Sequence, residues 1–223
     1  MDKREIKMTP SETILPEAII FDYGRVIVGP TDEDIFQANL TRIAKQYGFE
    51  IGTELWHHIY ISQGWEDAKR GRLSHADFWA DRLAALGIET AEERAAFKAE
   101  LFKYWGLFPG IIPPLKELHT KYRLAILSNT SRKGFADYLT DRRGLGGLFE
   151  TVVSSAEVGF AKPEPEIYQI ALDRLHIQPE QALFVDDLKR NTDAAERVGI
   201  PSIVFTTPDM LRKELENRGI LPA

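Results

Sequence analysis

Asp22 interrupts an apolar run, AIIFDYGRVIV over residues 18–28, and a carboxylate at that place in a buried strand is the first anomaly of the sequence. Three further apolar runs end on polar groups. Ser128 and Asn129 follow LAIL, Lys162 with Pro163 follows TVVSSAEVGFA, and the pair Asp186-Asp187 follows ALFV. Singly, each has a structural explanation: a turn cap, a helix cap, a solvated lysine or a loop start. In succession, behind four apolar strands, they define a site. Carboxylates converging on one point repel each other unless a cation neutralises them, and hard oxygen donors without cysteine or histidine favour magnesium over zinc. Asp22 and either Asp186 or Asp187 would be its ligands. A phosphoryl group held there needs more positive charge and more donors, which Lys162, the Ser128 hydroxyl, Asn129 and nearby backbone N–H groups would supply. Asp22 would then attack phosphorus in line, forming an aspartyl-phosphate that water hydrolyses. Lys162 would also keep the Asp22 carboxylate anionic and oriented.

These residues need strands to carry them. Residues 18–28, 124–127, 151–154, 182–185 and 202–205 are short runs rich in β-branched and apolar side chains, and helical spacing marks 113–122, 165–175 and 191–198 between them. The alternation predicts an α/β fold with a parallel sheet covered by helices, whose ligand crevice lies beyond the carboxyl ends of the strands. About ninety residues without a convincing strand separate the first run from LAIL, far more than a crossover needs. Amphipathic helices are expected over 32–47, 52–63, 74–86 and 91–105, with Ser74 and Thr90 as N-caps backed by Asp77 and Glu93. Gly29-Pro30 and Pro109-Gly110 read as hinges. The expected division is therefore an α/β hydrolase core over 1–30 and 109–223, with a helical cap over 31–108.

The motifs FDYGRV, LSNT, AKPEPEIY and FVDDLKRN, in this order and strand context, resemble those of the haloacid dehalogenase-like hydrolases. The resemblance covers residues 18–205. It implies a modified Rossmann core with a parallel sheet and an inserted helical cap, magnesium as cofactor, Asp22 as nucleophile and the backbone carbonyl of Gly24 as a further metal ligand. It also implies Ser128 and Lys162 on the phosphate and Asp186 and Asp187 at the metal. The D-x-G form of the first motif is similar to the branch containing glucose-1-phosphate phosphatases and epoxide hydrolase N-terminal-like members. Most phosphatases of the family carry an aspartate where this chain has Gly24, so the acid for the leaving group is missing from its usual place. Arg25 reads either as a phosphate contact or as a solvent-facing or cap-bridging side chain. The same scaffold serves 2-haloacid dehalogenases, in which the aspartate attacks carbon; two extra anions beside that nucleophile argue for phosphorus. A binding or regulatory homologue with weak turnover is the remaining alternative, and Gly24 is its support.

Composition agrees with an enzyme of small molecules. The chain has 223 residues, 43% apolar and 28% charged, with a net charge of -6 and no cysteine. The acidic balance argues against nucleic acid and anionic membranes; no run approaches the roughly 18 apolar residues of a membrane span. Residues 1–17 lack an apolar signal core. A cytoplasmic monomer or homodimer is expected, with a small phosphorylated substrate as partner. In the cap, Trp56, Ile59 and Tyr60 share a helical face and read mainly as core, while adjacent His57 and His58 point apart. Gln63, Gly64, Trp65 and Glu66 are expected to face the site. His75, His119 and His176 read as surface residues, and 211–218 as a solvated helix.

Overall fold

The computed structural model describes residues 15–222, and the reading of residues 1–17 therefore falls largely outside it. Five parallel strands form the main sheet: β1 (Ala18–Phe21), β4 (Arg123–Ser128), β5 (Thr151–Ser154), β6 (Ala182–Asp186) and β7 (Ser202–Val204), in the order β5-β4-β1-β6-β7. Period-2 alternation sends Ile19 and Phe21 to one face and Ala18 and Ile20 to the other. The first face is covered by α6 (Ile112–His119), α7 (Phe135–Arg143) and α11 (Pro208–Asn217). The second is covered by α9 (Pro165–Leu175) and α10 (Lys189–Arg197), and a single helical turn, α8 (Ser155–Val158), follows β5. The central β1 pairs with β4 and β6, so the chain leaves it in both directions across the sheet. That reversal opens the crevice at its carboxyl end.

The first apolar run is not one strand. It stops at Phe21, turns through Asp22 to Ile27, and resumes as β2 (Val28–Pro30), which pairs antiparallel with β3 (Trp105–Leu107). The stretch expected to be strand-free thus contains β3, and the expected hinge at Gly29-Pro30 lies inside a ribbon. Gly29 is required there, since a Cβ would come within 2.8 Å of the Phe108 ring. Between the two strands stand α1 (Glu33–Gln46), α2 (Gly52–Tyr60), α3 (Gln63–Ala68), α4 (His75–Ala84) and α5 (Ala91–Leu101). Ser74 and Thr90 cap α4 and α5 as expected, accepting from the N–H groups of Asp77 and Glu93 at 3.0 and 3.1 Å. The insertion has its own buried cluster, including Phe36, Leu55, Ile59, Phe78, Trp79 and Leu101. Trp56 packs against it and stacks on Trp105 at 5.7 Å, in line with the core reading of this aromatic stretch. No helix among the described residues is long and apolar enough to cross a membrane.

Candidate active site

Strand register brings the polar groups together. Phe21 lies level with Ile126 and Val185, so Asp22 emerges beside the ends of β4 and β6, where Ser128 and Asp186 close their strands. The Asp22 N–H is held by the Val185 carbonyl at 2.8 Å. Its Oδ1 accepts from the Tyr23 N–H at 2.6 Å and faces Lys162 Nζ at 2.8 Å. Lys162 also reaches Asp186 Oδ2 at 2.7 Å, with both of these side chains almost wholly inaccessible to solvent. Asp186 is saturated from the other side: Oδ1 accepts from the Leu188 N–H at 2.8 Å, and the Asn191 amide nitrogen lies 3.0 Å from each carboxylate oxygen. Asp187 is half-buried, whereas Asp186 beside it is fully buried and held by Lys162, Asn191 and the Leu188 N–H.

One oxygen each of Asp22, Asp186 and Asp187 lies within 4.8 Å of the others, a hard-donor cluster that fits a divalent cation such as magnesium. Electrostatics state the same need. Burial pushes Asp22 up to about 7 against the pull of Lys162, with Asp186 and Asp187 adding repulsion. Burial and Asp186 raise Asp187 to about 6, opposed by Lys162 and Arg25. For Lys162, burial opposes the charge, yet Asp186 and Asp22 outweigh it and hold the ammonium above its ordinary range. Three carboxylates against one ammonium leave an excess of negative charge that only a cation or protons can relieve.

The remaining sequence candidates have definite places. Ser128 is buried at the end of β4. Asn129 spends both ends of its amide on the Lys162 backbone, its Nδ2 donating to the carbonyl at 2.9 Å and its Oδ1 accepting from the N–H at 2.8 Å. It thereby ties the loop after β4 to the loop carrying the lysine. Gly24 bridges to Val28, and a Cβ there would meet nothing within 4 Å. Arg25, in the left-handed region at φ 60, pairs with Glu33 at 3.1 Å and so bridges to the first turn of α1, half exposed. Gln63, Gly64, Trp65 and Glu66 form the start of a separate helix, α3, capped by Ser62. Trp65 and Glu66 line a cleft of about 440 Å³ with Tyr60, Ser62, Lys69 and, from the core, Arg190.

Three groups of consequence escaped the sequence reading. Asn191 stands inside the FVDDLKRN motif, and only the fold shows it clamping both oxygens of Asp186. His75 is not a surface residue: its Nδ1 lies 2.7 Å from Ser131 Oγ and its Nε2 3.3 Å from Arg132, across the junction of insertion and core. Burial, then Arg132 and Lys98, lower it to about 4. Arg70 reaches from the insertion to Glu164, two residues beyond Lys162, and only the folded chain brings those charges together.

Residues 9–199 match the family model described as haloacid dehalogenase-like hydrolase. The chain is 30% identical over 188 residues to a phosphorylated carbohydrates phosphatase of Thermotoga maritima, covering 84% of this chain and 83% of that protein. It is 28% identical over 217 residues to an (S)-2-haloacid dehalogenase of Xanthobacter autotrophicus, covering 92% and 82%. The share of a relative's length that the chain spans varies widely, 10% for an acyl-CoA dehydrogenase family member of Mus musculus against 83% for the Thermotoga protein. Among solved structures, a family enzyme of Bacteroides thetaiotaomicron in complex with magnesium and inorganic phosphate superposes with a TM-score of 0.66 at 20% identity, over 86% of this chain and 95% of that one.

Proposed function

The chain belongs to the haloacid dehalogenase-like hydrolases, and from that premise we propose that it is a magnesium-dependent phosphatase that hydrolyses a small phosphorylated metabolite through an aspartyl-phosphate on Asp22. The observation that carries the reading is the third carboxylate, Asp187, within 4.8 Å of the other two. A site that attacks the carbon of a carboxylate substrate gains only repulsion from it, whereas a cation-assisted phosphoryl transfer requires such donors. The similarity to a phosphorylated carbohydrates phosphatase supports the same choice.

Asp22, Asp187 and the Gly24 carbonyl are the proposed ligands, with Asp186 oriented behind them by Asn191. Bound magnesium would supply charge neutralisation and polarisation of a phosphoryl oxygen. Lys162 fixes Oδ1 of Asp22, leaving Oδ2 as the attacking atom. As the Oδ2–phosphorus bond forms, the bond from phosphorus to the ester oxygen breaks, and that oxygen departs with the electron pair and takes a proton from solvent. Lys162 and the Ser128 hydroxyl stabilise charge on the phosphoryl oxygens. Water then attacks phosphorus, the Oδ2–phosphorus bond breaks, and inorganic phosphate leaves with Asp22 restored. The insertion, residues 31–108, acts as a cap over this site, and the cleft between it and Arg190 has the size and polarity for a small leaving group such as a sugar.

The test is phosphate release from a panel of phosphorylated metabolites with magnesium. Activity lost in Asp22→Asn, stopped by EDTA and restored by magnesium is the expected outcome. Metal-independent chloride release from a 2-chloro acid would establish the dehalogenase instead, and no turnover of either kind would leave a binding homologue.

A further inference from the structure

Arg70 lies in the turn after α3 and its guanidinium forks two ways, Nη1 to Glu66 Oε2 at 2.5 Å within the insertion and Nη2 to Glu164 Oε1 in the core. The second carboxylate oxygen of Glu164 accepts from the Ala161 N–H at 2.8 Å. Glu164 therefore grips the backbone immediately before Lys162 with one oxygen and the insertion with the other. Lys162 itself is clamped by Asn129 at both its N–H and its carbonyl, and its ammonium spans Asp22 and Asp186. The residue after Arg70, Gly71, abuts α8, the helical turn that precedes the Lys162 loop: it is in the left-handed region at φ 69, and a Cβ would stand 2.1 Å from the Ala156 carbonyl oxygen. A second tie, His75 to Ser131, holds the insertion to the loop that follows Ser128. The Arg70 side chain is four-fifths buried at this junction and that of Glu164 about two-thirds, so the pair is partly shielded from the solvent that screens fully exposed bridges.

We propose that Arg70 is a positioning residue that makes seating of the cap and placement of the Lys162 ammonium a single event, acting through Glu164. The inference rests on the phosphatase reading. With the cap seated, Arg70 holds Glu164, Glu164 holds the Ala161–Lys162 backbone, and the ammonium stays on Asp22. With the cap lifted, the loop keeps the Asn129 clamp and the Glu164 contact to Ala161, but Glu164 loses the guanidinium that fixes its other oxygen, and Lys162 loses part of its fixed geometry while product departs. Glu66 shares Arg70 and also lines the cleft that faces Arg190, so a group held in that cleft would act on the same chain of contacts.

The experiment is a double-mutant cycle of Arg70→Met and Glu164→Gln on the intact protein with magnesium, using an aryl phosphate. Glutamine keeps an acceptor for the Ala161 N–H, which protects the loop itself. Each single variant should lower kcat about tenfold, equivalent to about 1.4 kcal/mol, with KM changed less than kcat. The double variant should be no worse than the poorer single one, and Arg70→Lys should recover part of the loss. Additive losses, a change confined to KM, or wild-type kcat in Arg70→Met would overturn the proposal. A fold defect is separated by the thermal midpoint of each variant. If the wild-type protein releases no phosphate, the phosphatase reading fails; if it does and the cycle shows no coupling in kcat, this inference alone fails.

Discussion

Gly24 offers no group to protonate a departing alkoxide, and the free space around it means that packing does not demand the bare backbone. With solvent as proton source, turnover should fall steeply as the leaving group becomes more basic. Gly24→Asp places a carboxyl two residues from Asp22 without collision. We expect it to raise kcat on alkyl phosphates toward the about 10²–10⁴-fold that a positioned acid supplies, while changing aryl phosphates little; a series of esters of graded leaving-group basicity checks this. Lys162 carries the opposite expectation. Its ammonium is buried between two carboxylates, so Lys162→Met removes the fixed charge on Asp22 and on the transferring phosphoryl group together. Loss of one such stabiliser commonly costs about 2.7–4 kcal/mol, or roughly 10²–10³ in kcat. Single-turnover kinetics with the variant would show that loss in the chemical step, and an unchanged rate would make the lysine purely structural. Both expectations concern positions visible in the sequence, because each follows a β-branched strand that makes a polar residue conspicuous. Asn191 was not visible as an Asp186 clamp, since one amide in a helical turn signals nothing until the strand end opposite is known.

At the scale of elements, the junction of insertion and core is where short sequence segments carry the most structure. Gly71 and Gly87 both have positive φ, 69 and 75, but only Gly71 abuts backbone; Gly87 faces open space. Alanine at Gly87 should cost only the roughly 1–2 kcal/mol of a left-handed residue, some 2–4 °C of melting temperature per kcal/mol in a chain of this size. Alanine at Gly71 carries the same penalty and also collides with the Ala156 carbonyl, so it should melt lower and lose kcat as the insertion shifts off the Lys162 loop. Calorimetry and steady-state kinetics on the two variants separate backbone strain from seating. The five main strands, α1, α9 and the caps of α4 and α5 were legible because periodicity and capping are local. The ribbon of β2 and β3 was not, because three-residue strands containing Gly-Pro or Trp-Gly have no periodicity and exist only by pairing across the whole insertion, Val28 with Leu107 and Pro30 with Trp105. Nor was α3, whose six residues are too few for an amphipathic signal. His75 and Arg70 were misplaced or missed for a related reason: their partners Ser131 and Glu164 lie 56 and 94 residues away.

For the molecule as a whole, the site is a store of repulsion that the rest of the fold must hold. Asp22 and Asp187 are raised from 3.8 to about 7 and about 6, so the folded chain binds protons there more tightly than the unfolded chain does. Their contribution to stability is full below the unfolded value and is lost as pH climbs through the folded values, as two carboxylates ionise beside a third. Metal-free protein should therefore melt at progressively lower temperature as pH rises from about 5 to 8. Magnesium bound at the cluster replaces those protons, so its stabilising effect should grow with pH and cancel the slope, with protons released on binding. Thermal melts with EDTA or with magnesium across that range, and titration calorimetry in buffers of different ionisation enthalpy, measure both effects. Asp187→Asn should weaken the magnesium-induced shift while raising the midpoint of the metal-free protein at high pH, because it removes a ligand and a repulsive charge together. Asp186→Asn should instead lower the midpoint with or without metal, since that carboxylate is the partner of Lys162, Asn191 and the Leu188 N–H. Equal responses of the two variants would mean that the pair does not divide into a ligand and a structural anchor.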